Sequence, residues 1–231
     1  LAGPGSGKTR VITSRIAALI NSGVWPGNIC AITFTNKAAE EMKERLLASG
    51  VPSGAQVSTF HSLCVRILRQ YADRVNIKAN FSIYDQNDQR RLMKEALKRC
   101  QLDTSGFSPV KMLDAVGRSK NCLESVVELS GRADDYFTKV LANVYGAYQR
   151  LLKSNNAVDF DDLLVFTAIL LREDEQVRGE LSGRFRYLLV DEYQDTNHAQ
   201  YEIARQLAEH GNICVTGDPD QSIYRWRGAD I

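Results

Sequence analysis

Ala2-Gly3-Pro4-Gly5-Ser6-Gly7-Lys8-Thr9, followed by Arg10, is the stretch that decides the fold of this 231-residue chain. Gly3, Gly5 and Gly7 lack Cβ atoms, so the backbone can curl and aim successive N–H groups at one anion. Beyond them Ile12, Ile16, Leu19 and Ile20 recur at helical spacing, and Asn21-Ser22-Gly23 supplies a stop. The helix thereby presents its positive N-terminal end to whatever the loop holds. In a phosphate-binding loop of this kind Lys8 neutralises the β- and γ-phosphates of a nucleotide, and Thr9 offers its hydroxyl to Mg²⁺. The strict pattern wants glycine where this chain has Ala2. Taken alone, the stretch also fits a glycine-rich turn before a helix, so the rest of the chain has to decide.

Outward from the loop, strands and helices alternate. Ile29 to Phe34 reads as a buried strand. Lys37 to Leu47 reads as a helix with Ala38, Met42 and Leu46 on one stripe and Glu41 and Arg45 paired on the wet side. Val57 to Phe60 predicts a short strand, and Leu63, Ile67, Leu68 and Tyr71 mark the apolar face of the helix after it. Repeated strand-then-helix order predicts an α/β fold: a parallel sheet built by right-handed crossovers, with helices on both faces. From about Asp85 to Glu173 helical periodicity dominates, as in Leu92, Ala96, Leu97 and again in Val140, Val144, Ala147, Leu151. This predicts an inserted all-helical subdomain over 85–173, splitting the α/β domain into residues 1–84 and 174–231. The α/β pattern returns with a strand at Tyr187 to Val190, a helix at Ala199 to Ala208 and a strand at Ile213 to Thr216.

Composition excludes more than it assigns. Apolar residues make up 44% and charged residues 25%, and the formal net charge is +1, so any nucleic-acid site must be local. The five cysteines, Cys30, Cys64, Cys100, Cys122 and Cys214, are scattered without a Cys-x-x-Cys spacing. That excludes a disulfide framework or a zinc site and predicts reduced, mostly buried thiols. No apolar run is long enough to span a bilayer and no leader pattern opens the chain, so a cytoplasmic protein without membrane contact is expected.

Three further segments carry chemistry. In Leu188-Leu189-Val190-Asp191-Glu192 an apolar strand ends in two acids. Asp191 suits a carboxylate that holds Mg²⁺, and Glu192 one that orients and deprotonates an attacking water; an isolated acid pair is more often a solvated turn. With the loop the pair gains weight, because open α/β sheets gather ligands at the carboxyl ends of their strands. Gly217 to Arg227 follows another strand end. There Gln221 suits contact with a γ-phosphate or the lytic water, while Tyr224, Trp226 and Arg227 are types that stack on bases or grip phosphates. The plain alternative is a surface loop whose Trp226 packs on a neighbouring domain. Two weaker candidates are Phe34, at a strand end where it can stack on a base, and His61, which with the neighbouring hydroxyls of Thr59 and Ser62 can bond DNA phosphates; an aromatic or histidine at such places is more often structural.

In order and spacing these segments resemble the UvrD/Rep/PcrA-type superfamily 1 DNA helicases. The resemblance covers nearly the whole chain and rests on the loop at Ala2 to Thr9, Ile32 to Ala39, Ser58 to Ser62, Val158-Asp159-Phe160-Asp161-Asp162-Leu163, Asp191-Glu192-Tyr193-Gln194-Asp195 and Gln221 to Asp230. Alanine at the first loop position is normal in that family. The resemblance implies a RecA-like P-loop NTPase motor domain interrupted by a helical subdomain, and ATP-driven 3′-to-5′ translocation on single-stranded DNA and its junctions with duplex, in repair or replication. It assigns Ala2, Gly3, Pro4, Gly5, Ser6, Gly7, Lys8, Thr9, Arg10, Asp191, Glu192 and Gln221 to the ATP and Mg²⁺ site, with Lys8, Asp191, Glu192 and Gln221 catalytic. Phe34, His61, Tyr224, Trp226 and Arg227 fall on the DNA track. The family also has a second RecA-like domain that supplies arginines to the γ-phosphate. Without it, weak hydrolysis and no unwinding are expected of this chain. A helicase–nuclease motor and a non-catalytic, nucleotide-gated DNA-binding module are the alternative readings.

Overall fold

A computed structural model describes residues 7–222 of the chain, the Gln221 side chain excepted, so Ala2 to Ser6 and Tyr224, Trp226 and Arg227 lie outside the described residues. In chain order the elements are α1 (Lys8–Asn21), β1 (Ile29–Thr33), α2 (Asn36–Ala48), β2 (Gln56–Thr59), α3 (Phe60–Gln70), β3 (Ser82–Ile83), α4 (Gln86–Arg99) and α5 (Pro109–Asn121). There follow α6 (Val126–Gly131), α7 (Tyr136–Ser154), β4 (Ala157–Val158), α8 (Phe160–Glu173), α9 (Glu175–Arg184), β5 (Tyr187–Val190), α10 (His198–Leu207) and β6 (Ile213–Val215). The chain divides into two compact units, residues 1–66 with 168–231, and residues 67–167.

The first unit is built on a four-stranded parallel sheet in the order β2-β1-β5-β6. All five residues of β1 are buried, and the first four, Ile29 to Ile32, form the continuous apolar run of an inner parallel strand covered on both faces. Ile12 and Ile16 of α1 and Ala39, Met42 and Leu46 of α2 form a core with Ile29, Ala31, Val57 and Leu189 of the sheet. Each large side chain fully buried there contributes roughly 1.5–3 kcal/mol.

Two local details differ from the sequence reading. The buried alanine of α2 is Ala39, and Ala38 is only half-buried; Ala38 lies in the first turn, where its N–H donates to the capping Thr35 hydroxyl at 3.1 Å. Phe60 opens α3 instead of ending β2, because Thr59 turns the chain: its Oγ1 accepts the Ser62 N–H at 3.2 Å. That cap rewards a helical Phe60 more than an aromatic rewards a strand.

In the second unit α4, α5 and α6 pack on α7, with Met93, Leu97, Met112, Val144, Tyr148 and Leu152 among the core side chains. The stretch expected to be helical throughout also holds β4, which pairs in parallel with β3. Two residues are too few to leave a periodic signature.

This unit also buries a charge cluster. The Lys120 ammonium, at zero exposure on α5, sits 2.6 Å from Asp159 and 2.8 Å from Asp162. Tyr148 donates its hydroxyl to Asp159 at 3.0 Å, and Gln149 donates Nε2 to Asp162 at 2.8 Å. The two aspartates cap α8 reciprocally, since the Asp162 N–H donates to Asp159 at 2.8 Å and the Asp159 N–H to Asp162 at 3.2 Å. Burial alone would strip the proton from Lys120, but the carboxylates of Asp159 and Asp162 outweigh it and hold its pKa above the ordinary value. Asp161, beside the same group, is pushed up to about 7 by burial and by the charge of Asp159, with Lys120 opposing.

The thiols are free, but only Cys30 and Cys64 are buried; Cys100 and Cys214 are half-buried and Cys122 is exposed, so the expectation of mostly buried cysteines is corrected. Among the described residues no helix is long and apolar enough to cross a membrane.

Candidate functional site

Register places the carboxyl ends of the four strands on one edge. Thr33 lies opposite Thr59, Ile32 opposite Val190, and Val190 opposite Val215. The sheet therefore delivers Phe34, His61, the Asp191–Glu192 pair and the loop from Thr216 onward to the same side. Phe34 and His61 are half-buried there. Thr59 is buried and its hydroxyl caps α3, so of the hydroxyls expected to face phosphate this one serves the fold.

The acid pair is tightly held. Asp191 is 4% exposed, and its N–H donates to the Ile32 carbonyl at 2.8 Å, continuing the β1–β5 ladder by one residue. Its Oδ1 accepts the Thr216 hydroxyl at 2.6 Å and the Glu192 N–H at 3.0 Å. Glu192 takes a left-handed backbone, φ 52° and ψ 45°, which costs a residue with a Cβ roughly 1–2 kcal/mol. Such strain is held in place by the surroundings: the next N–H, of Tyr193, donates to the Thr216 carbonyl at 2.9 Å.

Gln194, 5% exposed, donates Nε2 to Glu192 Oε2 at 2.7 Å and accepts the Asp218 N–H on Oε1 at 2.9 Å. Asp218, itself buried, accepts the Asp220 N–H at 3.1 Å and so caps the short turn Pro219–Gln221. Thr216, Gln194 and Asp218 were not singled out by sequence reasoning. The signal available for Thr216 is a polar residue at the carboxyl end of an apolar strand.

At the other end of the chain, Gly7 precedes α1 with φ +87°, a conformation that only glycine adopts at low cost. The Val11 N–H closes the first helical turn on the Gly7 carbonyl at 3.0 Å. The first N–H groups of a helix, here from Lys8 onward, point out of its N-terminal end. Lys8 is buried, Thr9 half-buried and Arg10 exposed. Arg10 lines a cleft with Thr13, Ser14, Arg45 and Ser49, which brings two guanidinium groups to one depression.

A parallel α/β protein with a buried acid at the carboxyl end of an inner strand is the class that fold and site define. Within that class the chain belongs to the family described as UvrD/REP helicase N-terminal domain, which matches residues 1–231. It is 48% identical over 235 residues to the ATP-dependent DNA helicase PcrA of Staphylococcus aureus (strain Mu50 / ATCC 700699) and 50% identical over 235 residues to that of Bacillus subtilis (strain 168). Against the Staphylococcus epidermidis protein of the same name the identity is 49% over 236 residues. Each comparison covers 100% of this chain and 32% of the relative, so the chain spans about a third of the length of these curated relatives.

Proposed function

We propose that this chain is the ATP-binding motor half of an ATP-dependent 3′-to-5′ DNA helicase or translocase acting on single-stranded DNA, in repair or replication. The observation that carries the reading is the Asp191–Glu192 pair, held at the same sheet edge as the segments bearing Phe34 and His61. The first unit is then a RecA-like motor domain, and the helical subdomain expected over 85–173, most of which falls in the compact unit 67–167, an insertion within it. A second RecA-like domain completes the ATP site in the whole protein.

Among the described residues no cluster of three His, Cys, Asp or Glu side chains could hold a metal by itself. Asp191 and Thr9 would each offer one oxygen, the sparse protein share that Mg²⁺ takes when substrate phosphates fill the rest of its shell. Bound there, it would neutralise charge on the β- and γ-phosphates. Lys8 and the N–H groups of Gly7 to Arg10, with the loop from Ala2 to Ser6, grip the phosphates. Glu192 accepts a proton from the water that attacks the γ-phosphorus, and Gln221 contacts the γ-phosphate as ADP leaves. Phe34, His61, Tyr224, Trp226 and Arg227 form the DNA track, each stacked base worth roughly 1–3 kcal/mol.

Glu192→Gln in a protein with both motor domains is the test. Turnover is expected to fall about 100-fold or more with ATP binding retained; a parent that binds ATP but shows no turnover for the substitution to remove would leave a nucleotide-gated binding module as the reading. Residues 1–231 alone are expected to hydrolyse ATP weakly, and strong DNA-stimulated hydrolysis by them would remove the need for a second domain.

A further inference from the structure

We propose that Gln194 is a positioning residue, a clamp that holds the Glu192 carboxylate in working orientation only while the loop after β6 is seated. This rests on the reading of Glu192 as the group that activates water.

The clamp is defined at both ends. A carboxylate only accepts and a backbone N–H only donates, so the contacts at 2.7 Å to Glu192 and 2.9 Å from Asp218 fix which end of the amide is nitrogen and which is oxygen. Glutamine alone among side chains of this length offers a neutral donor and acceptor on one rigid plane. Glutamate would set a second carboxylate against Glu192, methionine would bond neither end, and asparagine is one methylene short.

The surroundings are shaped for that amide. A Cβ on Gly217 would lie 2.6 Å from Gln194 Oε1 and 3.3 Å from its backbone N, so the loop approaches this closely only because residue 217 is glycine. The backbone of Gln194 joins the same contact, its carbonyl accepting the Ser222 hydroxyl at 3.3 Å. Glu192 lies beyond the β5 ladder in a left-handed conformation, so strand pairing does not orient its side chain. Gln194 does, by borrowing order from the loop. Asp218, which holds the other end of the clamp, also caps the turn Pro219–Gln221. A shift in that turn caused by the state of the nucleotide therefore reaches Glu192 through one side chain.

The test uses the whole protein with ATP and single-stranded DNA, measuring kcat and KM for ATP for Gln194→Met, Gln194→Asn, Glu192→Gln and the double variant Gln194→Met with Glu192→Gln. Gln194→Met is expected to lower kcat about tenfold or more with KM changed less than about threefold, and to add little in a Glu192→Gln background, because both act through one group. Gln194→Asn keeps the amide but reaches one methylene less, so it is expected to lower kcat by a comparable factor with KM again changed less than about threefold, and it decides the matter if Gln194→Met fails to fold. A KM that rises in step with the loss of kcat, or a Gln194→Met loss that adds in full to Glu192→Gln, overturns the clamp. Turnover surviving Glu192→Gln would instead overturn the assignment of Glu192.

Discussion

Lys120→Met removes one ammonium and leaves two buried carboxylates facing each other. The side chains are similar in length, so the change is one of charge more than of packing. In the parent, Asp159 and Asp162 lie 2.6 and 2.8 Å from Nζ, and the exposure of the three side chains is 0%, 4% and 1%. Removing one partner from a buried ionic group costs about 3–5 kcal/mol, because the remaining charge is neither paired nor hydrated. For a chain of 150–250 residues each kcal/mol moves the melting point by about 2–4 °C, so a drop of about 6 °C or more is expected. The orphaned carboxylates escape the penalty by taking up protons. The loss is therefore expected to be larger at pH 8 than at pH 6. Thermal unfolding at both pH values measures the size, and hydrogen exchange followed by mass spectrometry should locate the loosening in α5 and at the start of α8. A Lys120→Met protein within about 1 kcal/mol of the parent at pH 8 would refute the account of the cluster as a mutual charge balance.

Asp161, with a folded pKa of about 7 against an ordinary 3.8, is stabilising below the lower value and loses that contribution as pH rises through the higher. Stability of the parent is thus expected to fall between about pH 4 and pH 7 and to level off above. Asp161→Asn should flatten that part of the profile, and an unchanged slope in a urea titration would speak against it. Thr216→Val keeps the shape of the side chain but removes the 2.6 Å hydrogen bond to Asp191. A cost of about 1.5–3 kcal/mol in denaturant unfolding is expected, and a change under about 0.5 kcal/mol would mean that the Asp191 carboxylate is satisfied without it.

The inner strands and their helices were legible because one physical signal dominated each. β1 is a run of buried apolar residues, and α1 follows from its spacing and from Gly7. Where a single hydrogen bond outweighed periodicity, sequence reading missed by one residue, as with the cap at Thr59. Asp191 and Glu192 were legible as acids ending a strand. Gln194 was not, since its partners lie at 192 and 218 and only the pairing of β5 with β6 brings the latter near. Lys120 gave no signal at all: a lone lysine on a helix reads as solvated, and its two carboxylates are 39 and 42 positions away in the chain.

The shared direction of the four strands also has a practical side. Phe34, His61, Glu192 and Asp218 leave the sheet together at one edge. Arg186 and Asn212 precede β5 and β6 at the opposite edge, and both are exposed. A fluorophore attached at either would ride on the same rigid sheet as the acid pair, a strand's length away from it.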